Sequence, residues 1–272
     1  MNESLTLAQQ HLYTFQTCRR RFYLRYLARV PWPEAPLGSQ QEQAYEHGRR
    51  FHRWIERQFL GLPPMEPSDD EPELRRWWGV FQRQAPPLPD GRRFVETSLT
   101  VPIGPGGHYR LTGRFDLLIV GDGANGPAAT LFDWKTGEPR SIERLRRAWQ
   151  TRLYLYLLAE GGAALIPQTP GAFAPSRLSL TYWYVEEPER PRVITYDDST
   201  HRRNRIELEA IVADIDEQLT VGEWPLTDDW NECRHCAYRA YCGRQAAGAG
   251  KLDPQEEEEP EPDDLWLEPQ WG

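Results

Sequence analysis

Three short apolar runs in the middle of the chain constrain its fold most: Phe94–Val101, Tyr109–Val120 and Ala129–Trp134. Each is bounded by Gly or Pro clusters, which predicts β-strands, with Gly121–Pro127 as a loop between the second and third. Helical spacing brackets them. Leu12, Phe15, Phe22, Tyr23 and Tyr26 recur at helical intervals and predict a helix over 5–29, ended by Pro31 and Pro33. A second helix over about 40–60 carries Tyr45, His52, Ile55, Glu56 and Phe59, and a short one at Leu74–Phe81 holds Trp77 and Trp78. Beyond the strands, Ser141 with Glu143 behind it starts a helix that runs through Trp149, Gln150, Leu153, Tyr154 and Leu157 to Gly161-Gly162. Residues 163–176 read as loop and Leu178–Val185 as a further strand. A last helix, 200–220, has Ile206, Ile211, Ile215 and Leu219 as its apolar stripe. No internal repeat is visible. With 272 residues the chain can bury a full core, and this order of elements predicts a mixed α/β domain around a central sheet.

The net charge of -9 conceals an uneven distribution. Residues 251–272 hold nine Asp/Glu against one Lys, so the remainder is 31 basic against 32 acidic residues, close to neutral. That divides the chain into a folded body over 1–245 and an acidic tail over 246–272, whose Gly/Ala and then Glu/Pro/Asp composition supports no core. The tail's few apolar residues, Leu265, Trp266, Leu267 and Trp271, suit a partner's groove or a mimic of DNA charge, beside the plainer reading of a solvated tail. Within the body, arginines cluster at Arg19–Arg21, Arg25 and Arg29, at Arg140, Arg144, Arg146, Arg147 and Arg152, and at Arg202, Arg203 and Arg205. Such runs are either solvated faces or footprints for an anionic polymer. No apolar run approaches the roughly 20 residues of a membrane span. The first residues lack the basic and apolar regions of an export signal, which leads us to expect a reducing cytoplasm.

Chemistry concentrates in the strands. Asp116 interrupts the apolar run Gly113–Val120, and Asp133 follows Leu131-Phe132 on the next strand. Two carboxylates on adjacent strands can converge on one hard cation such as Mg²⁺ or Mn²⁺. Lys135 lies two residues beyond Asp133 and so points to the same side of its strand. Only two lysines, Lys135 and Lys251, stand among the 32 basic residues. A lysine kept where arginine is otherwise universal suggests a need for a compact ammonium. A buried Lys135–Asp116 salt bridge without catalysis is the plainer alternative.

Taken together, Gly113-x-x-Asp116, Asp133-Trp134-Lys135-Thr136-Gly137 and Gln150-x-x-x-Tyr154 resemble the PD-(D/E)XK nuclease superfamily. More narrowly they are similar to its RecB-like domains, which include the CRISPR-associated adaptation nucleases and the AddB-type exonucleases. The resemblance spans about residues 10–245. It implies a restriction-endonuclease-like core and a Mg²⁺- or Mn²⁺-dependent deoxyribonuclease, acting on single-stranded DNA or DNA ends in repair, recombination or CRISPR adaptation. It places His52, Asp116, Asp133 and the carbonyl of Trp134 on the metal, makes Lys135 the residue that positions water, and sets Gln150 and Tyr154 in support. Glu96 matches a position where relatives often carry an acid, and Glu56 could hold the His52 ring. A packing role for Tyr154 stays open. The alternative is a silent DNA-binding scaffold of the same fold, working with a helicase or integrase partner. There is no Gly-x-x-x-x-Gly-Lys-Ser/Thr loop, so unwinding would need that partner.

The cysteines are Cys18, then Cys233-x-x-Cys236 and Cys242. Their spacing alone suits zinc, for which His235 offers a nitrogen, as well as iron and sulfur. The resemblance favours a 4Fe-4S cluster held by all four, stapling the helical N-terminal part to the C-terminus. Eleven Trp and twelve Tyr serve core packing or base stacking. Tyr182, Trp183 and Tyr184 on one strand predict that at least one faces solvent or substrate.

Overall fold

The computed structural model describes residues 5–31, 39–63, 71–123, 126–234 and 236–247, without side chains at 39–42 and 105. The acidic tail beyond Ala247 and His235 lie outside the described residues, while Gln245–Ala247 forms a single 3₁₀ turn. In chain order the elements are β1 (Leu5–Leu7), α1 (Gln9–Thr17), α2 (Arg19–Phe22), α3 (Ser39–Phe59), α4 (Pro72–Gln84), β2 (Arg92–Ile103), β3 (Tyr109–Gly123), β4 (Gly126–Lys135), α5 (Ile142–Arg147), α6 (Trp149–Gly161), β5 (Leu178–Tyr184), β6 (Arg192–Thr195), α7 (Asp198–Val221) and α8 (Trp230–Arg234). Two compact units interleave along the chain. One comprises Met1–Glu42, Pro102–Leu111 and Ile206–Gly272, the other Gln43–Val101 and Thr112–Arg205.

The second unit is built on a mixed sheet. β3 and β4 pair antiparallel with Leu117 opposite Phe132, β4 and β5 pair parallel with Asp133 opposite Tyr182, and β5 and β6 pair antiparallel. β2 pairs with β3. A parallel pair needs a crossover, and α5 and α6 supply it between β4 and β5. The strand pattern is 2-periodic where one side meets solvent, as at the end of β2, but β5 is buried at six of its seven positions. That is why Tyr182, Trp183 and Tyr184 are all buried, so none of them faces solvent, one of the two alternatives expected. Trp183 enters one layer, and Tyr182 the opposite one.

The layer around Trp183 is an aromatic core. α4 starts with Pro72 at its first position and buries Leu74, Trp77, Trp78 and Phe81, a single stripe at i, i+3, i+4 and i+7. These pack with Phe51, Trp54 and Ile55 of α3 and with Leu117, Ile119, Phe132, Trp134 and Trp183 from the sheet. Phe81 meets Trp134 and Trp183 edge to face at 5.3 and 5.6 Å. Truncating Phe81 to Ala would cost about 3–5 kcal/mol. The opposite layer is α6, which buries nine of its residues, including Gln150, Thr151 and Tyr154.

Several boundaries differ from the sequence reading. Leu5–Leu7 is a strand, not helix, because it pairs parallel with Tyr109–Leu111 at the start of β3. The helix expected over 5–29 breaks at Cys18, whose backbone is extended (φ -159, ψ 109), and continues as a π turn over Tyr23–Leu27. The helix expected after Ser141 is two, since Ala148 turns extended between α5 and α6. β3 and β4 run on into the expected Gly121–Pro127 loop. Residues 163–176 contain 3₁₀ turns, and β6 was not anticipated. The buried stripe of α7 is Asn204, Leu208, Ile211, Val212 and Ile215, whereas Ile206 and Leu219 are exposed.

In the first unit, α1 buries Leu12 and Phe15, and Phe22 and Tyr23 stack near Trp224. Arg20 N–H donates to Pro225 O at 3.1 Å, Tyr238 Oη to Val30 O at 2.7 Å, and Arg19 and Arg21 pair with Asp214 and Glu232. Hydrogen bonds and ion pairs of the chain therefore tie the N-terminal helices to the C-terminal segment.

Candidate active site

Strand alternation sets the site. Trp134 sends its indole into the aromatic layer, so its neighbours Asp133 and Lys135 face α6. Asp133 is 2 % exposed. Gln150 Nε2 donates to its Oδ2 at 2.9 Å, and Lys135 Nζ lies 2.9 Å from its Oδ1. The same ammonium stands 5.8 Å from the centre of the Tyr182 ring. Asp116 sits where β3 changes layers: Phe115 packs on Tyr154 of α6, whereas Leu117 joins the aromatic core. Asp116 Oδ2 accepts the Trp134 N–H at 2.9 Å and lies 3.5 Å from His52 Nδ1. His52 comes from α3 and faces the sheet because Phe51, Trp54 and Ile55 anchor that helix on either side of it.

The electrostatics mark crowded acids. Burial raises the Asp116 carboxyl, but the His52 ring, the Trp134 N–H and the Lys135 ammonium outweigh it and hold Asp116 below its ordinary range. Glu96 goes the other way: burial, then repulsion from Asp116, push it up to about 8 against the pull of Arg114, whose Nε donates to Glu96 Oε2 at 2.7 Å. Glu96 also adopts a left-handed backbone (φ 48), a conformation that costs a non-glycine residue about 1–3 kcal/mol and is seen mostly at functional positions. Burial, then the charge of Asp133, drive the Tyr182 hydroxyl well above its ordinary range, so it remains a proton donor.

The structure thus brings His52, Asp116, Asp133, Lys135 and Gln150 together, and Asp116 repels the charge of Glu96. Lys135 forms an ion pair with Asp133, and its charge also acts on Asp116, the partner of the plainer reading. Trp134 reaches the site through its N–H. Tyr154 is buried against Phe115 and over Gly113, where an added Cβ would lie 2.9 Å from its ring. Glu56 is half-buried on α3. Sequence reasoning missed Thr151, whose Oγ1 lies 2.8 Å from Tyr182 Oη, and the signal that could have found it is its adjacency to Gln150 on the buried face of α6.

Among the described residues no group of three or more His, Cys, Asp and Glu is gathered to hold a metal ion. At the strand site Asp133 pairs with Lys135, and Asp116 lies 3.5 Å from the His52 ring. The donor set still fits a hard divalent ion. Glu96 feels burial first and then the charge of Asp116, and a divalent ion would relieve the second of these. The cysteines are all free thiols. Cys18 caps α2, its Sγ accepting the Arg21 N–H at 3.4 Å, and burial together with the charge of Cys18 raises the thiols of Cys233, Cys236 and Cys242. The four thiols lie close enough to act on one another electrostatically, and soft sulfur donors are the kind that iron or zinc takes. No helix among the described residues is long and apolar enough to cross a membrane.

A search of curated proteins finds none that matches the chain. The sequence model of a family described as the PD-(D/E)XK nuclease superfamily matches residues 6–243, which takes in every strand but the first residue of β1, both aspartates, Lys135 and all four cysteines. That match covers well over half of the chain, and the chain belongs to the PD-(D/E)XK nuclease superfamily.

Proposed function

We propose that this chain is a Mg²⁺- or Mn²⁺-dependent deoxyribonuclease of the RecB-like kind, an exonuclease hydrolysing phosphodiester bonds in single-stranded DNA or at DNA ends. The observation that carries this reading is that Asp116, Asp133, Lys135, His52 and Gln150 form one linked set of hydrogen bonds and ion pairs around the C-terminal end of β4. A divalent ion held by Asp116, Asp133, His52 and the Trp134 carbonyl would polarise the scissile phosphate and acidify a bound water. Lys135, a compact donor with three N–H bonds, orients the attacking water and faces the developing phosphate charge. Gln150 holds Asp133 in place from behind, and Tyr154 packs the helix that carries Gln150. His52 keeps Asp116 ionised.

The four cysteines are proposed to hold a 4Fe-4S cluster that reinforces the contacts between the N-terminal helices and the C-terminal segment. Such a cluster suits a reducing, cytoplasmic setting. The exposed arginines of α5, Arg146 and Arg147, follow the catalytic strand closely and suit a DNA backbone. Unwinding of duplex ends is assigned to a partner helicase, or end delivery to an integrase.

The test is cleavage of end-labelled single- and double-stranded DNA by protein purified without oxygen. Mg²⁺ or Mn²⁺ should be required, and Asp116→Asn or Lys135→Ala should lower the rate by at least ~10²-fold. Full activity of either variant, or activity in chelator, would refute the assignment.

A further inference from the structure

The hydrogen bonds behind Asp133 run in one direction. Tyr182 Oη donates to Gln150 Oε1 at 3.3 Å. A phenol carries one proton, so the Thr151 hydroxyl, 2.8 Å from the same oxygen, is the donor to Tyr182. An amide whose oxygen faces Tyr182 must turn its NH₂ the other way, and Gln150 Nε2 meets Asp133 Oδ2 at 2.9 Å. The reversed amide would set its oxygen against a carboxylate. Both ends of the relay therefore select the same orientation. Thr151, Tyr182, Gln150 and Asp133 are all buried, so water does not soften that choice. The geometry comes from the fold: Tyr182 is the register partner of Asp133 across the β4–β5 ladder, and Gln150 and Thr151 are adjacent on α6.

Resting on the metal-site reading above, we infer that Tyr182 and Thr151 are positioning residues that lock Gln150 and thereby decide which oxygen of Asp133 is offered to a cation. The amide holds Oδ2, so Oδ1, paired with Lys135 Nζ at 2.9 Å, is the oxygen a cation takes when that pairing is released. A carboxylate limited to one donor oxygen suits Mg²⁺ and Mn²⁺, which are small and octahedral. Ca²⁺ is larger and commonly takes both oxygens of a carboxylate, so a locked Asp133 disfavours it. The relay Thr151–Tyr182–Gln150 is thus an ion-selectivity device built behind the site.

Isothermal titration of Mn²⁺ and of Ca²⁺ into the full chain tests this, using wild type, Tyr182→Phe, Thr151→Val and Thr151→Ser. Tyr182→Phe keeps the ring and the packing but removes the hydroxyl. We expect Mn²⁺ affinity to fall about 10-fold or more in Tyr182→Phe and Thr151→Val, the usual effect of losing a residue that supports a ligand. Ca²⁺ affinity should hold or rise, so the Mn²⁺/Ca²⁺ ratio narrows, and Thr151→Ser should behave as wild type. A purely structural role would weaken both ions alike and leave the ratio unchanged, which would overturn the inference. Wild-type protein that binds neither ion would overturn it together with the metal reading beneath it, whereas a normal wild type with unaltered variants would overturn the relay alone.

Discussion

Lys135 has two separable roles, and stability measurements on metal-free protein can part them. Its ammonium stands 2.9 Å from Asp133 Oδ1, and the aspartate side chain is 4 % exposed. At an effective dielectric constant of ~20, that separation corresponds to a gross attraction of about 6 kcal/mol. Desolvation of both groups cancels part of it, but removing one partner leaves a buried carboxylate facing a gap. Lys135→Ala should therefore destabilise by about 3–5 kcal/mol in urea unfolding of chelator-treated protein. Asp133→Asn should cost less, since the Gln150 contact can persist with the amide. In the double variant the uncompensated charge is gone, so the cycle should give a coupling of about 2 kcal/mol. Lys135→Arg keeps the charge and should retain most of the stability while losing hydrolysis, because a planar fork cannot occupy the place of an ammonium. Additive single effects, with coupling below about 0.5 kcal/mol, would refute the pair as an energetic unit.

Other consequences follow from single groups. His11 is buried, its Nδ1 accepts the Ala8 N–H, and burial followed by Arg25 lowers its pKa to about 3. A depressed histidine favours the neutral fold, so its stability contribution is complete above about pH 6.5 and is lost as pH falls toward 3, at about 1.4 kcal/mol per pH unit. Replacing it as His11→Asn should flatten the urea stability profile between pH 6 and 4 by about 2 kcal/mol or more; an unchanged slope would show that other groups carry the acid sensitivity. Gly113→Ala places a Cβ 2.9 Å from Leu157 Cδ1 and Tyr154 Cε1, and overpacking there should cost about 1–3 kcal/mol with α6 displaced from the sheet. Thermal melting reads the first effect, and a loss of hydrolysis larger than the loss of folded protein reads the second. Cys18→Ser should abolish the brown colour and the broad absorbance near ~400 nm of anaerobically purified protein; retention of both would remove Cys18 from the cluster.

What the sequence disclosed and what it hid have a common physical origin. Periodicity over long stretches was legible: α3, α4, α7, β3 and β4 lie where their apolar residues recur. It failed where a tertiary contact overrode a local preference. Leu5–Leu7 continues a helical pattern, yet the exposed start of β3 draws it into a parallel pair. Cys18 and Ala148 interrupt helices with no glycine or proline to announce it. β6 is four residues long, too short for a pattern. For the site, Asp116, Asp133 and Lys135 were readable because charge inside an apolar strand is costly and so conspicuous. The pairing of Lys135 with Asp133 was not, since it depends on side-chain placement that strand alternation alone does not fix. Tyr182 and Thr151 were hidden because a buried tyrosine on a central strand looks the same whether its hydroxyl packs or relays.

The most direct test of the account is to soak crystals of the chain with Mn²⁺ and record anomalous diffraction. The account predicts a single strong peak bound by Asp116 and Asp133, with Lys135 released from its pairing with Asp133 Oδ1. No peak at the two aspartates, or one bound elsewhere while both stay paired to His52 and Lys135, would contradict it.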